Sequence, residues 1–166
     1  RVALKHTAGL SAPQQVQMAL LALYEMLDAS GEYRQTLRKL LSGRLKALYA
    51  GLEAPLTAEP LRAGYYCELD LMAWAINRHG EGFAGYLARN HDPLDLVLTL
   101  ARESAVVVLP CGGFAGPPWS IRVSLANLPE SACLEIGRAI VRITARYVSQ
   151  WRRAQGTSRV SPGGPS

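Results

Sequence analysis

The chain has 166 residues, 49% of them hydrophobic and 7% aromatic, a composition that fits one ordinary globular domain and excludes a disordered polymer. Its longest apolar runs, such as 18–24 and 105–110, fall far short of the roughly 20 residues that a spanning helix needs, so no membrane partner is expected. The net charge is +5, but residues 136–166 hold six arginines and no acid, leaving twelve basic residues against thirteen acidic ones elsewhere. Arg138, Arg142 and Arg146 share one helical face, opposite Ile136, Ile140, Ile143 and Tyr147, which reads as a solvated face rather than a nucleic-acid footprint.

Cys67, Cys111 and Cys133 are odd in number and include no C-x-x-C pair, so neither a disulfide framework nor a zinc site is expected. Reduced thiols in a cytoplasmic protein are the default reading. The opening residues, RVALKHTAGLS, lack the apolar stretch of a signal peptide, and the chain reads as the interior of a longer protein.

In chain order, Ser11-Ala12-Pro13-Gln14 is an S-x-x-Q capping box, and Val16, Leu20, Leu23 and Leu27 continue at helical spacing until Ser30-Gly31. A second helix, from about Glu32 to Leu52, repeats apolar residues at Tyr33, Leu37, Leu41, Leu45, Leu48 and Leu52, and its length suggests a spine joining two parts of a larger structure. Two prolines make residues 53–60 a loop. Residues 65–71, YYCELDL, read as a strand leading into a helix over 72–77. Asp92 before Pro93 caps a helix ending near Ser104, after which VVVLP reads as a β-branched strand. CGGFAGPP is a loop, WSIRVSLA a strand, and a long amphipathic helix runs from about Pro129 to Ala154. The glycine, serine and proline of residues 156–166 mark a disordered tail. The order helix, helix, strand, helix, strand, strand, helix is α+β.

Within the WSIRVSLA strand, Ile121, Val123 and Leu125 alternate with Arg122, Ser124 and Ala126, so Arg122 leads the face opposite the apolar set. A guanidinium's planar fork of donors matches a carboxylate; the plainer reading is a solvated arginine on an edge strand. Glu68 and Asp70 share a strand face, as an acid/base or metal pair would, but have no partner histidine or third ligand. His6, His79 and His91 lack metal-ligand spacing, and no metal site is expected. Cys111 before Gly112-Gly113 has no local activating base, and Ser120 and Ser124 stand in no G-x-S-x-G pattern. The glycine pair reads mainly as a source of positive φ, and only weakly as an anion cradle.

The succession VVVLP, a glycine-containing loop, WSIRVSLANL and a long terminal helix resembles the C-terminal region of class I/II (fold-type I) pyridoxal-phosphate aminotransferases. HTAGLSAPQQVQM at 6–18, GYYCELDL at 64–71 and GGFAGPPWSIRVSLANL at 112–128 look most like the bacterial aspartate 4-decarboxylases. Cys111 departs from the family's loop, which usually has another glycine there. The resemblance implies that Arg122, of R-x-S, binds the substrate α-carboxylate, and that residues 1–31 complete a large cofactor domain. It further implies that 32–155 form the small C-terminal domain with its interdomain helix.

The family's Schiff-base lysine, phosphate-binding residues and pyridinium-pairing aspartate belong to a region upstream of the blocks matched here. Lys5, Lys39 and Lys46 stand in the wrong contexts to replace that lysine. No catalytic or cofactor-binding residue is therefore assigned within this chain. Conversion of aspartate to alanine and CO2 by the complete protein, as a homo-oligomer, is the implied activity. An aminotransferase and a non-catalytic interaction module are the alternatives.

Overall fold

The computed structural model describes residues 9–57 and 64–158, with side chains to 155. Backbone contacts divide it into a unit ending at Leu40 and a unit beginning at Leu41. In the first, helix α1 (Ala12–Leu27) starts on the expected capping box, the Ser11 hydroxyl and Gln14 amide each serving the other's end of the turn. No described residue of α1 is buried, and Val16, Leu20 and Leu23 are each more than half exposed. Helix α2 (Glu32–Gly51) begins in the same unit. The Asp28 carboxylate accepts from the Ser30 hydroxyl at 2.7 Å and from the Tyr33 amide at 3.1 Å, holding that carboxyl below its ordinary range, with the Ser30 bond the larger cause.

The second unit is α+β, as expected. After the end of α2 come β1 (Tyr66–Asp70), α3 (Leu71–His79), α4 (Glu81–Asn90), α5 (Pro93–Ser104), β2 (Leu109–Pro110), a 3-10 turn (Cys111–Phe114), β3 (Ser120–Ser124) and α6 (Glu130–Ser158). The three strands form one antiparallel sheet in the order β1-β3-β2. Cys67, Leu69, Ile121 and Val123 are buried, as are Cys133, Ile136, Ala139, Ile140 and Ile143 of α6. The residues alternating with them put Tyr66, Glu68, Arg122 and Ser124 on the sheet's other face.

Three elements differ from the sequence reading. The stretch VVVLP forms a strand only at Leu109–Pro110, because Ala105 closes α5 in a left-handed conformation and Pro110 has no N–H to extend the ladder. Residues 81–90 form a helix with Phe83, Ala84 and Leu87 buried, turned from α3 at Gly80, whose φ of 86° favours glycine. Phe83 and Leu87 cluster with Ala75 and Val148, and Trp74, Tyr86, Trp119, Tyr147 and Trp151 pack around them. Finally, α6 runs to Ser158, past the 156 at which the tail was expected to begin; residues 159–166 lie outside the described set.

Candidate functional site

Arg122 occupies the middle of the central strand, with Glu68 of β1 paired on one side and Leu109 of β2 on the other. It is therefore not on an edge strand. Its guanidinium carbon lies 4.4 Å from the centre of the Tyr66 ring and 4.8 Å from that of Phe114, both within cation–π range. Glu68 Oε1 stands 3.6 Å from Arg122 Nε, too far for a hydrogen bond, and that Nε is shielded from water with no hydrogen-bond partner among the described residues. The Arg122 side chain is 26% exposed and that of Glu68 60%. A cation thus lies against two rings with its Nε donor unused.

The loop carrying Phe114 is fixed by its own hydrogen bonds. Gly116 N–H donates to the Cys111 carbonyl at 2.9 Å, the Ser120 hydroxyl to the Pro117 carbonyl at 2.6 Å, and Leu71 N–H to the Trp119 carbonyl at 2.9 Å. A Cβ on Gly116 would press on the Cys111 side chain. Gly112 and Gly113 do not supply the positive φ expected of them; Ala115 does, at 59°. Beyond β3, Arg44 Nη1 donates to the Leu125 and Ala126 carbonyls at 2.7 and 2.6 Å, tying the end of the Arg122 strand to α2. Beside Glu68 opens a cleft of about 480 Å³, bounded also by Tyr49, Leu52, Asp70, Trp74 and Asn77.

The other candidates scatter. Asp70 lines the same cleft as Glu68, but its carboxylate is engaged in capping α3, accepting from Ala73 N–H at 2.9 Å. His79 packs edge-on against Phe83 at 5.1 Å between centroids; burial, assisted by Arg78 and Arg152, pushes its pKa down. His91 lies 4.5 Å from the Tyr147 ring, centroid to centroid, and 3.9 Å from the Asp95 carboxylate. Cys67, Cys111 and Cys133 are buried, and burial raises the Cys133 thiol further from ionisation. Ser120 is buried in its turn, and Ser124 sits opposite Tyr66 in the ladder. Among the described residues no three His, Cys, Asp or Glu side chains gather as a metal would need, and no helix is long and apolar enough to cross a membrane. His6 and Lys5 lie outside the described residues.

Sequence reasoning finds Arg122 but misses its clamp. Tyr66 was legible as the aromatic start of β1, yet only the register that pairs Glu68 with Arg122 brings it within reach. Phe114 carried no signal beyond being the aromatic residue of its loop.

No family model matches the chain. Over 151 residues, 91% of its length, it is 38% identical to a protein of a Pseudomonas species named as a bifunctional aspartate aminotransferase and L-aspartate beta-decarboxylase. The chain is homologous to part of that enzyme. It spans 28% of that relative's length. The resemblance read from HTAGLSAPQQVQM, GYYCELDL and GGFAGPPWSIRVSLANL is thereby borne out. Pyridoxal phosphate, which the resemblance implies, requires a lysine set in a cleft and a phosphate cradle. Lys39 and Lys46 are both exposed along α2, so the described residues do not form that seat.

Proposed function

We propose that this chain is the substrate-acid-binding part of a longer aspartate 4-decarboxylase, which converts L-aspartate to L-alanine and CO2, and that Arg122 binds the substrate α-carboxylate. The observation that carries this reading is the clamped guanidinium: ringed by Tyr66 and Phe114 and with Nε unbonded, it has donors to spare for an acid, in a chain homologous to an aspartate-processing enzyme. Pyridoxal phosphate would be held by residues of the longer chain rather than by the described ones, and would supply the electron sink for loss of the β-carboxylate.

Arg122's own part is positional. Its fork grips a carboxylate at two points where an ammonium offers one, which fixes the direction of the adjoining Cα bonds. The two rings stop the guanidinium from swinging, so less freedom is lost when the acid docks. The exposed Val16, Leu20 and Leu23 face of α1 supports the view that further chain of the same protein covers it. On this reading residues 1–31 finish the large domain, 32–155 form the small one, and the complete protein is a cytoplasmic homo-oligomer.

Transamination is the second reading, favoured by the first activity in the relative's name. The two are separated by giving the complete gene product pyridoxal phosphate and aspartate with only a trace of keto acid. A decarboxylase releases CO2 and alanine over many turnovers, whereas a plain aminotransferase stops after about one equivalent for want of an acceptor. Single-equivalent oxaloacetate without sustained CO2 would sink the decarboxylase assignment. A parent gene with no lysine in an S-x-x-K setting upstream would leave only the non-catalytic module.

A further inference from the structure

We infer that Glu68 is a resident competitor for Arg122, an internal carboxylate that an incoming acid must displace or tolerate, and that it sets how tightly the site holds acids. The inference rests on the reading of Arg122 as the carboxylate anchor. Its geometric basis is the register: Glu68 and Arg122 are directly opposed across β1 and β3, where side chains on one face meet.

A committed structural ion pair would close a hydrogen bond. This one stops at 3.6 Å between Oε1 and Nε, leaving Nε both dry and unbonded, and a buried donor without an acceptor is unfavourable. The side-on edge of the guanidinium therefore wants an anion that Glu68 only half supplies. Glu68 also has room to yield, since its side chain is 60% exposed and no described group donates a hydrogen bond to its carboxylate. It also lines the open cleft, so it can lie toward Arg122 when the site is empty and turn toward the cleft when an acid arrives. The rings of Tyr66 and Phe114 cover the guanidinium without contributing charge, which leaves Glu68 as the one described carboxylate paired with Arg122.

Two like charges about 6 Å apart at a half-exposed site repel by an amount that corresponds to roughly 3- to 10-fold in affinity. Neutralising Glu68 should thus tighten acid binding, the reverse of what loss of a structural residue does. The probe is succinate, a dicarboxylate without an amine, measured by its inhibition constant against aspartate in the complete gene product. Glu68→Gln should lower that constant about 3- to 10-fold at low salt, and the gain should shrink at 0.5 M salt, because screening removes a Coulombic effect but not a packing one. Glu68→Thr, which keeps strand propensity, should act in the same direction and guards against a folding defect peculiar to glutamine.

An unchanged or weaker succinate constant in both variants, with Arg122→Ala still abolishing tight binding, would overturn the role of Glu68 and leave the anchor intact. If Arg122→Ala itself left succinate binding unchanged, the anchor reading would fall instead. A gain from Glu68→Gln that persisted in an Arg122→Ala background would also overturn the inference, since the competition would then not be for Arg122.

Discussion

Gly51 of α2 and Gly137 of α6 meet backbone to backbone: a Cβ on Gly137 would overlap the Leu48 carbonyl oxygen and the Leu52 amide, and one on Gly51 the Leu134 carbonyl oxygen. The two longest helices of the unit cross where neither has a side chain. Gly137→Ala pits two effects against each other. Alanine gains up to about 1 kcal/mol of helix propensity over glycine, whereas forcing the helices apart costs about 1–3 kcal/mol. The close contact wins, so the urea midpoint of unfolding falls; a midpoint that rose would show that the helices do not touch here.

Ala105 ends α5 at φ 52°, ψ 27°, a left-handed conformation that glycine adopts without the Cβ clash. Ala105→Gly is expected to stabilise by about 0.5–1 kcal/mol, read as a higher unfolding midpoint. Loss of stability would place residue 105 in an ordinary helical conformation.

Burial, with Arg78 and Arg152 nearby, holds His79 below its ordinary pKa of 6.5. Because the folded form binds the proton less readily than the unfolded chain, stability is complete above about 6.5 and is lost as pH falls through that value toward the folded pKa. His79→Gln removes the titration. The drop in unfolding free energy between pH 7.5 and pH 5 should be smaller in the variant than in the parent, and an equal drop would assign it to other groups.

Arg44 gives Nη1 to two carbonyls, those of Leu125 and Ala126, directly after the strand that carries Arg122. Arg44→Met leaves both acceptors unpaired, at about 1–3 kcal/mol. Hydrogen exchange at the Leu125 amide, which bonds the Tyr65 carbonyl, should quicken in the variant more than exchange in α4. Uniform quickening would mean that Arg44 supports the whole unit rather than this strand end.

Periodic elements were legible because their burial follows a simple repeat. The capping box at Ser11 and the N-cap at Asp92 mark helix starts chemically, and both are formed, the latter as a box that Asp95 completes. What the sequence hides depends on partners far along the chain. Three β-branched or apolar residues before Leu109 look like a strand, but one left-handed residue and one proline decide otherwise. The α4 segment, EGFAGYLARN, has two glycines that disguise a helix whose Phe83 and Leu87 are held by Val148, sixty residues on. Arg122 announced itself as a charge in an apolar strand. Its setting between Tyr66, Phe114 and Glu68 follows from antiparallel register and a 3-10 turn, neither of which is written in local spacing.

The central claim, that Arg122 anchors a substrate carboxylate, is tested most directly by aspartate affinity in the complete gene product with residue 122 changed. Removing one member of a hydrogen-bonded charge pair costs about 2–5 kcal/mol, or roughly 30-fold to several thousand-fold in binding. Arg122→Ala should weaken aspartate by that margin while the cofactor's absorbance stays as in the parent, and Arg122→Lys should recover only part, since an ammonium lacks the planar fork. Aspartate binding within about twofold of the parent in Arg122→Ala, a change of less than ~0.5 kcal/mol, would contradict the account and return Arg122 to a structural charge paired with Glu68.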